Sequence, residues 1–575
     1  MENRIIPRPE HPEPMMYREN WINLNGEWDF KIDNEKCGEA KEYFNLDSLD
    51  GKITVPFCPE SKLSGVGNTD FMYCVWYKRK VTVPNEWRSD NKRTFLNIGA
   101  CDYETTVYIN GNNAGSHFGG YTPIKIDITP WLVDGENDIT VCAKDNPQDW
   151  SIPSGKQSAR YNSFSCYYTR TTGIWQTVWL ENKPNAYIKS LKITPSLKNG
   201  TVFIEAKTEN ADGLEFSAVA SYKGKEICRA SATAIWRKAQ LVLNIDEIHP
   251  WDTENPDLYD VTLTLGEDTV KSYFGLRDIV LKDNITYLNG KPVFQRLILD
   301  QGFYPDGIYT APTEDELIAD IQRSLDMGFN GARLHQKVFE PRFLYHCDRM
   351  GYLVWGEHAS WGMETHTNVG YKSFVPEWIE ILQRDYNHPA LIGWCPLNET
   401  SGIINCDFVK LLHQITMEFD PTRIFIDSSG FRHVEGTFDM YDVHDYANTL
   451  EKYQLLIEGK EVACVSIWRG NGQKSDYVMR NDVCFVSEFG GIGFKMDGGS
   501  GWGYGEAAND SQALIDRYKA LVDALLDNPK ITAFCYTQLT DVEQEQNGLY
   551  TYDRIPKVSP ELIKQITSRK AAIEK

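Results

Sequence analysis

Positive charge is what this chain has too little of. Its 575 residues carry 59 Lys and Arg against 81 Asp and Glu, a net charge of −22. That balance disfavours nucleic acid and anionic membrane as partners. Long apolar runs are also missing, since none approaches the ~20 residues of a membrane span. Met1-Glu2-Asn3-Arg4 opens no segment of the signal-peptide kind. The 13 cysteines are odd in number and fall in no CxxC or zinc-like spacing. Several, among them Cys142, Cys395 and Cys535, sit inside apolar runs and read as reduced core residues. With no leader segment, the expectation is a cytoplasmic protein. Low-complexity tracts and internal repeats are absent, and a chain this long cannot share one core, so roughly two to four domains are expected.

What is present is concentrated in two strings, Gly393-Trp394-Cys395-Pro396-Leu397-Asn398-Glu399 and Phe485-Val486-Ser487-Glu488-Phe489-Gly490. Each is an apolar run that delivers a glutamate and is then broken by small or polar residues. A buried strand bringing a carboxylate to the rim of a sheet has this pattern. Two such glutamates suggest a carboxylate pair, the machinery of glycoside hydrolysis.

The surroundings of the pair support that reading. From about Ile285 onward, strand and helix signals alternate. Strands are expected over 292–299, 330–335, 352–357, 391–399, 423–427, 440–446, 483–488 and 531–537. Helices are expected over 314–327, from Pro341, over 377–386 behind Pro376, over 408–419 and over 511–526. Short buried strands alternating with helices predict a parallel sheet, and eight of them predict a closed (β/α)8 TIM barrel, whose active sites lie at the C-terminal strand ends. Glu399 then ends the fourth strand and Glu488 the seventh, so both face one mouth.

The first half has a different grammar. From about Tyr17 to Asn182, short strands are punctuated by Gly, Asn and Asp. Glu104-Thr105-Thr106-Val107-Tyr108-Ile109 runs into the hairpin signal Asn110-Gly111. This predicts a β jelly-roll over 1–183. A second β block, 184–277, has the length of a seven-stranded immunoglobulin-like sandwich, and the barrel takes 278–575. Neither β domain shows a chemical constellation of its own.

Taken together, the order and spacing of these segments resemble glycoside hydrolase family 2. The resembling pieces are Trp21-Ile22-Asn23-Leu24-Asn25-Gly26-Glu27-Trp28, Val107-Tyr108-Ile109-Asn110-Gly111, and Thr172-Gly173-Ile174-Trp175-Gln176-Thr177-Val178-Trp179. Phe274-Gly275-Leu276-Arg277, Leu288-Asn289-Gly290-Lys291-Pro292 and Arg384-Asp385-Tyr386-Asn387-His388-Pro389, followed by Trp394 and Asn398-Glu399, continue the match. The resemblance implies a retaining exo-glycosidase. Glu399 would be general acid then base, its proton held by repulsion from an ionised Glu488. Glu488 would be the nucleophile that forms a covalent glycosyl-enzyme. Asn398 would bond the sugar 2-hydroxyl. Arg333, His335, His444 and Tyr446 are further candidates around the mouth. Tyr536 stands where the family places an aromatic platform, and Trp361 and Trp468 are candidate sugar-stacking rings.

Three departures qualify what the resemblance implies. The second-strand pattern reads Arg333-Leu334-His335-Gln336-Lys337, with the histidine displaced. The Glu-x-His metal register is missing after Glu357, and Glu364-Thr365-His366 lies further along, so no metal and no cofactor are expected. The Asn-x-Lys pair of β-glucuronidases is not evident at Gln546-Asn547-Gly548-Leu549, which argues against a uronic acid, and β-galactoside is placed first on its frequency in the family. β-Glucuronide and α-L-arabinofuranoside are the alternatives, and a non-catalytic carbohydrate-binding protein is the alternative of another class. The expected partner is a small glycoside, with homo-oligomerisation left open.

Overall fold

The computed structural model describes residues 6–89, 91–400, 405–447, 450–452, 483–496 and 501–575, and the backbone of 466–468 and 474–477. Two β-sandwiches precede a barrel. In the first, a six-stranded sheet faces a four-stranded one. The Asn110-Gly111 turn joins Glu104–Ile109 to Asn112–Phe118. Both of its residues have positive φ, 50° and 78°, as this hairpin turn requires. Trp28, Tyr77, Ile98, Val107, Val141 and Leu180 meet between the sheets. The second sandwich packs three strands on four around Ile193, Ile204, Phe216, Leu243 and Leu263. Strand Glu215–Tyr222 alternates buried with exposed or half-buried residues throughout, as a sheet with one wet face dictates.

The barrel strands are β1 Gln295–Asp300, β2 Gly331–Leu334, β3 Leu353–Glu357, β4 Leu391–Cys395, β5 Ile424–Phe425, β6 Asp442–Asp445, β7 Phe485–Gly490 and β8 Ala533–Thr537. The order is β5-β4-β3-β2-β1-β8-β7-β6, every hydrogen-bonded pair is parallel, and among the described residues β5 and β6 stand at the two ends of the curled sheet with no ladder between them. Nearly every strand residue is buried. This is why these strands read as continuous apolar runs rather than alternating ones.

The helices that cover the strands are α1 Glu314–Asp326, α2 Pro341–Met350, α3 Gly370–Asp385, α4 Cys406–Phe419, α5 Ser511–Asp527 and α6 Pro560–Thr567. Thr313, Asn405 and Asp510 cap α1, α4 and α5 with side-chain oxygens. Pro341 occupies the first turn of α2, as expected. Pro376 does not open α3: the helix starts at Gly370 and the proline lies inside it. No helix among the described residues is long and apolar enough to cross a membrane, and none of the described cysteines is in a disulfide.

Candidate active site

Each candidate carboxylate is delivered by its strand. Beyond β4 the chain runs through Leu397–Asn398, which pairs in parallel with Ser428–Ser429. Glu399 donates its backbone N–H to the Ser429 carbonyl at 2.8 Å and takes φ of +46°. That left-handed conformation is uncommon for a residue with a side chain and persists where the surroundings over-determine it. Glu488, by contrast, lies within β7 and is 4% exposed.

The Glu488 carboxylate is gripped from two sides. Arg333 donates to its Oε1 at 3.2 Å and Tyr446 donates its hydroxyl to Oε2 at 2.6 Å. Arg333 is fully committed. Its Nε donates to Glu357 at 2.7 Å, and its terminal nitrogens donate to the Ser487 carbonyl at 2.7 Å and to Asn398 Oδ1 at 3.1 Å. His335 Nδ1 lies 3.1 Å from Glu357, with Nε2 3.9 Å from Glu488. Burial, reinforced by the Lys156 and Arg333 charges, holds the His335 pKa well below the ordinary histidine value. The ring is therefore neutral. With Nδ1–H given to Glu357, its Nε2 is an acceptor facing the Glu488 side. The displaced histidine thus reaches the site after all, two residues along β2's continuation from Arg333.

Glu399 has one close partner. His444 Nδ1 lies 2.7 Å from its Oε1 and 3.4 Å from Glu488 Oε2. Single atoms of Glu399, His444 and Glu488 all fall within 4.8 Å of one another. His444 Nε2 is 2.9 Å from the Ser429 hydroxyl. Ser429 donates at 2.8 Å to Asp442, which also accepts from the Ser487 hydroxyl and, at 3.0 Å, from the Gly430 N–H. Gly430 has φ of +106°, and a Cβ there would sit 2.9 Å from the His444 ring, so only glycine leaves room. Below this network His433 pairs with Asp427 at 2.6 Å and Asp442 at 3.2 Å. Burial alone would lower the His433 pKa, but the two aspartates push it up to about 10.

The sequence reading has repulsion from Glu488 holding the Glu399 proton. The structure corrects this. Burial would raise the Glu399 pKa, yet the His444 hydrogen bond and charge, with Lys156 and Arg333, bring it below the ordinary value. Burial would lower His444, yet Glu488 and Glu399 raise it. Because Asp442 can only accept while it stays ionised, Ser429 spends its hydrogen there and its oxygen accepts from His444 Nε2–H. The short contact between Nδ1 and Glu399 then contains one proton of its own. The lowered Glu399 value and the raised His444 value both favour the histidine as its holder.

Asn398 is buried, with its Nδ2 unpartnered among the described residues. Trp361 donates Nε1–H to the Asn398 carbonyl at 3.1 Å, and its ring lies 5.4 Å from that of Tyr167. Tyr446 stacks on Tyr504 at 3.7 Å. The expectation for Tyr536 is corrected. Its ring is 0% exposed and packs edge-on against Phe489 and, from α5, Tyr518. The next residue, Thr537, faces the mouth and meets the Tyr446 hydroxyl at 3.0 Å. Trp468 ends a short strand, Ser466–Trp468, but its side chain lies outside the described residues. Asn547 is spent between Gln538 and Glu545.

Two contributors escaped sequence reasoning. Glu357 ends β3 as Glu399 and Glu488 follow β4 and end the apolar run of β7, so its signal was present in the same pattern. Lys156 comes from the jelly-roll domain. Residues 145–172 of that domain reach across to the barrel, and the ammonium sits 4.1 Å over the Trp361 ring.

Paired glutamates at the C-terminal ends of a parallel eight-stranded barrel, fronted by two β-sandwiches, are an arrangement that glycoside hydrolysis uses. Comparison with known proteins narrows this. The family models of the glycosyl hydrolases family 2 sugar binding domain, of glycosyl hydrolases family 2 and of its TIM barrel domain match residues 22–184, 186–277 and 279–463. The chain belongs to glycosyl hydrolases family 2.

A putative β-glucuronidase of Formosa agariphila is 28% identical over 60% of this chain and 44% of its own length. The β-glucuronidase of Felis catus is 23% identical over 71% of this chain and 68% of its own length. The β-galactosidase of Thermoanaerobacterium thermosulfurigenes is 26% identical over 76% and 63%. The chain therefore spans between under half and about two thirds of these relatives. Among solved structures, a Ruminococcus gnavus β-glucuronidase in complex with D-glucuronic acid superposes with a TM-score of 0.78 at 17% identity. That match covers 98% of this chain and 100% of that one, and shows a shared fold.

Proposed function

We propose that the chain is a retaining exo-glycosidase that removes a terminal β-glucuronosyl residue. The observation that carries the reaction type is the tight grouping of Glu399, His444 and Glu488, with one atom of each within 4.8 Å of the others. Such closeness suits direct attack by one carboxylate. An inverting pair needs roughly 6.5–9.5 Å to admit a water between sugar and base.

In this reading Glu488 attacks the anomeric carbon while Arg333 and Tyr446 fix the direction of its lone pairs. Glu399 donates the proton it shares with His444 to the departing oxygen. The Ser429–Asp442–His433 network keeps His444 oriented, so the proton need not depend on an elevated carboxyl pKa. Water then attacks the glycosyl-enzyme with Glu399 as base, and configuration is retained. Asn398 Nδ2, unpartnered, has a free donor for the sugar 2-hydroxyl.

For the sugar, the balance of relatives moves the first choice from β-galactoside to β-glucuronide. Relatives named β-glucuronidase include the Formosa and cat proteins, and structures named so share the fold over nearly the whole chain. A panel of 4-nitrophenyl glycosides tests this: β-glucuronide should be turned over best, with the β-anomer of the sugar as the first product by NMR. The α-anomer first would end the retaining mechanism, and preference for β-galactoside or α-L-arabinofuranoside would end the uronide reading.

A further inference from the structure

The jelly-roll segment 145–172 is fastened to the barrel mouth at many points. The N–H groups of Ser154 and Gly155 donate to the Trp361 carbonyl at 3.0 and 2.9 Å. Tyr168 donates its hydroxyl to Glu545 at 2.5 Å, and Thr169 donates its N–H to Glu543 at 3.0 Å. Gln544 donates to the carbonyls of Ser165 and Tyr167 at 2.7 and 3.0 Å. The carbonyl of Lys156 itself accepts from the Tyr168 N–H at 2.7 Å. A backbone held this firmly fixes where the Lys156 side chain begins.

That side chain is an anomaly. Lys156 is only 6% exposed, yet among the described residues its ammonium has no hydrogen bond and no ion pair. It stands over the face of Trp361, 4.1 Å from the ring centre. Burial disfavours the charge, and Cys166, Glu545, Glu488 and Glu399 offset it from nearby, so the ammonium stays charged with its donors open to an acceptor. The nearby acids are engaged elsewhere: Glu488 by Arg333 and Tyr446, Glu399 by His444, and Glu545 by Tyr168 and Asn547. Arg333, the other permanent cation of the mouth, has no donor to spare. Trp361 bonds the Asn398 carbonyl, and the ammonium above its ring lies close enough to Glu488 and Glu399 to feel both charges.

We infer that Lys156, delivered by the jelly-roll domain, is the specificity-determining cation of the site and pairs with the carboxylate of an anionic sugar ring. The inference rests on the glycosidase reading above. It places recognition of the acid group on a different domain from the catalytic glutamates, so the interface between the domains is part of the substrate site. A neutral hexoside would leave the ammonium with a hydroxyl at most, and a carboxylate satisfies it with charge-assisted bonds.

The test compares kcat/KM for 4-nitrophenyl β-D-glucuronide and the corresponding neutral galactoside and glucoside in wild type, Lys156→Met and Lys156→Arg. Methionine keeps most of the cover over Trp361 without the charge. The ratio of glucuronide to neutral-glycoside kcat/KM should fall by about 30-fold or more in Lys156→Met, chiefly through KM. Lys156→Arg should recover part of it. Calorimetric binding of D-glucuronate should weaken in parallel.

Loss of equal size on charged and neutral substrates would overturn the inference and leave Lys156 a structural residue. Wild-type turnover of neutral glycosides with no glucuronide activity would overturn it too, leaving the hydrolase reading standing. If no glycoside is cleaved, the hydrolase reading fails on its own. Glucuronate binding, sensitive or insensitive to Lys156→Met, then still decides the role of the lysine.

Discussion

Glu488 and Glu399 end apolar runs on different sides of one barrel, and the chain builds opposite surroundings for them. Around Glu488 the partners are permanent donors. A guanidinium with no other freedom and a tyrosine hydroxyl donate into a carboxylate whose side chain is 5% exposed. Around Glu399, 21% exposed at its side chain, the partner is an imidazole that can hold or release a proton. Identical side chains thereby acquire different chemistry from environment alone. In the proposed mechanism one attacks, and the other shares a proton with His444.

The comparison breaks most sharply at Glu488. Glu488→Ala should lower kcat by roughly 10⁵-fold, as loss of a covalent nucleophile does elsewhere, with the fold intact by circular dichroism. Added azide should restore turnover on an activated aryl glycoside and give a glycosyl azide of inverted configuration. Near-normal activity without azide would remove Glu488 from the nucleophile role.

Glu399→Ala should cost less, and unevenly. General-acid help is worth roughly 10²–10⁴-fold, and only where the departing oxygen needs a proton. Alkyl glycosides should therefore lose activity across that range while 2,4-dinitrophenyl glycosides lose little in the first step. A uniform loss across leaving groups would show that Glu399 is not the acid.

The shared proton predicts a pH effect at His444. In the wild type the Glu399–His444 pair keeps its proton until pH rises through the raised His444 value, so kcat/KM should hold through neutrality and fall above it. In His444→Phe, Glu399 must keep the proton alone, so the alkaline limb should move to lower pH, by about one unit or more, with a neutral-pH loss of roughly 30-fold. An unmoved alkaline limb would mean that His444 only orients Glu399.

How much of this was legible in the sequence follows from where the information lies. The barrel strands announce themselves because parallel strands buried on both faces are continuous apolar runs, and the glutamates at or just beyond their ends break those runs. The same property hides orientation. In β8 both Tyr536 and Thr537 are buried, so no alternation tells which faces the mouth, and the aromatic residue was the wrong choice. Pro376 misled in a local way, because proline's preference for the first helical turn is a tendency that α3 overrides from Gly370. His433, Ser429 and Asp442 leave no local pattern, since their order exists only once β6 lies beside the segment after β5. Lys156 is the extreme case, a residue of one domain completing the site of another.

The smallest expected effect sharpens the Glu488 side. Tyr446 gives Glu488 a hydrogen bond of 2.6 Å, and its ring is held flat on Tyr504 at 3.7 Å. Tyr446→Phe should keep that stack and remove only the hydroxyl. Hydrogen bonds to charged groups contribute about 1.5–3 kcal/mol. With Arg333 still donating, the low end applies, a loss of roughly tenfold in kcat. The loss should be similar for good and poor leaving groups, because the hydroxyl touches the nucleophile and not the acid. A loss confined to poor leaving groups would assign Tyr446 to the Glu399 side and erase the distinction between the two carboxylates.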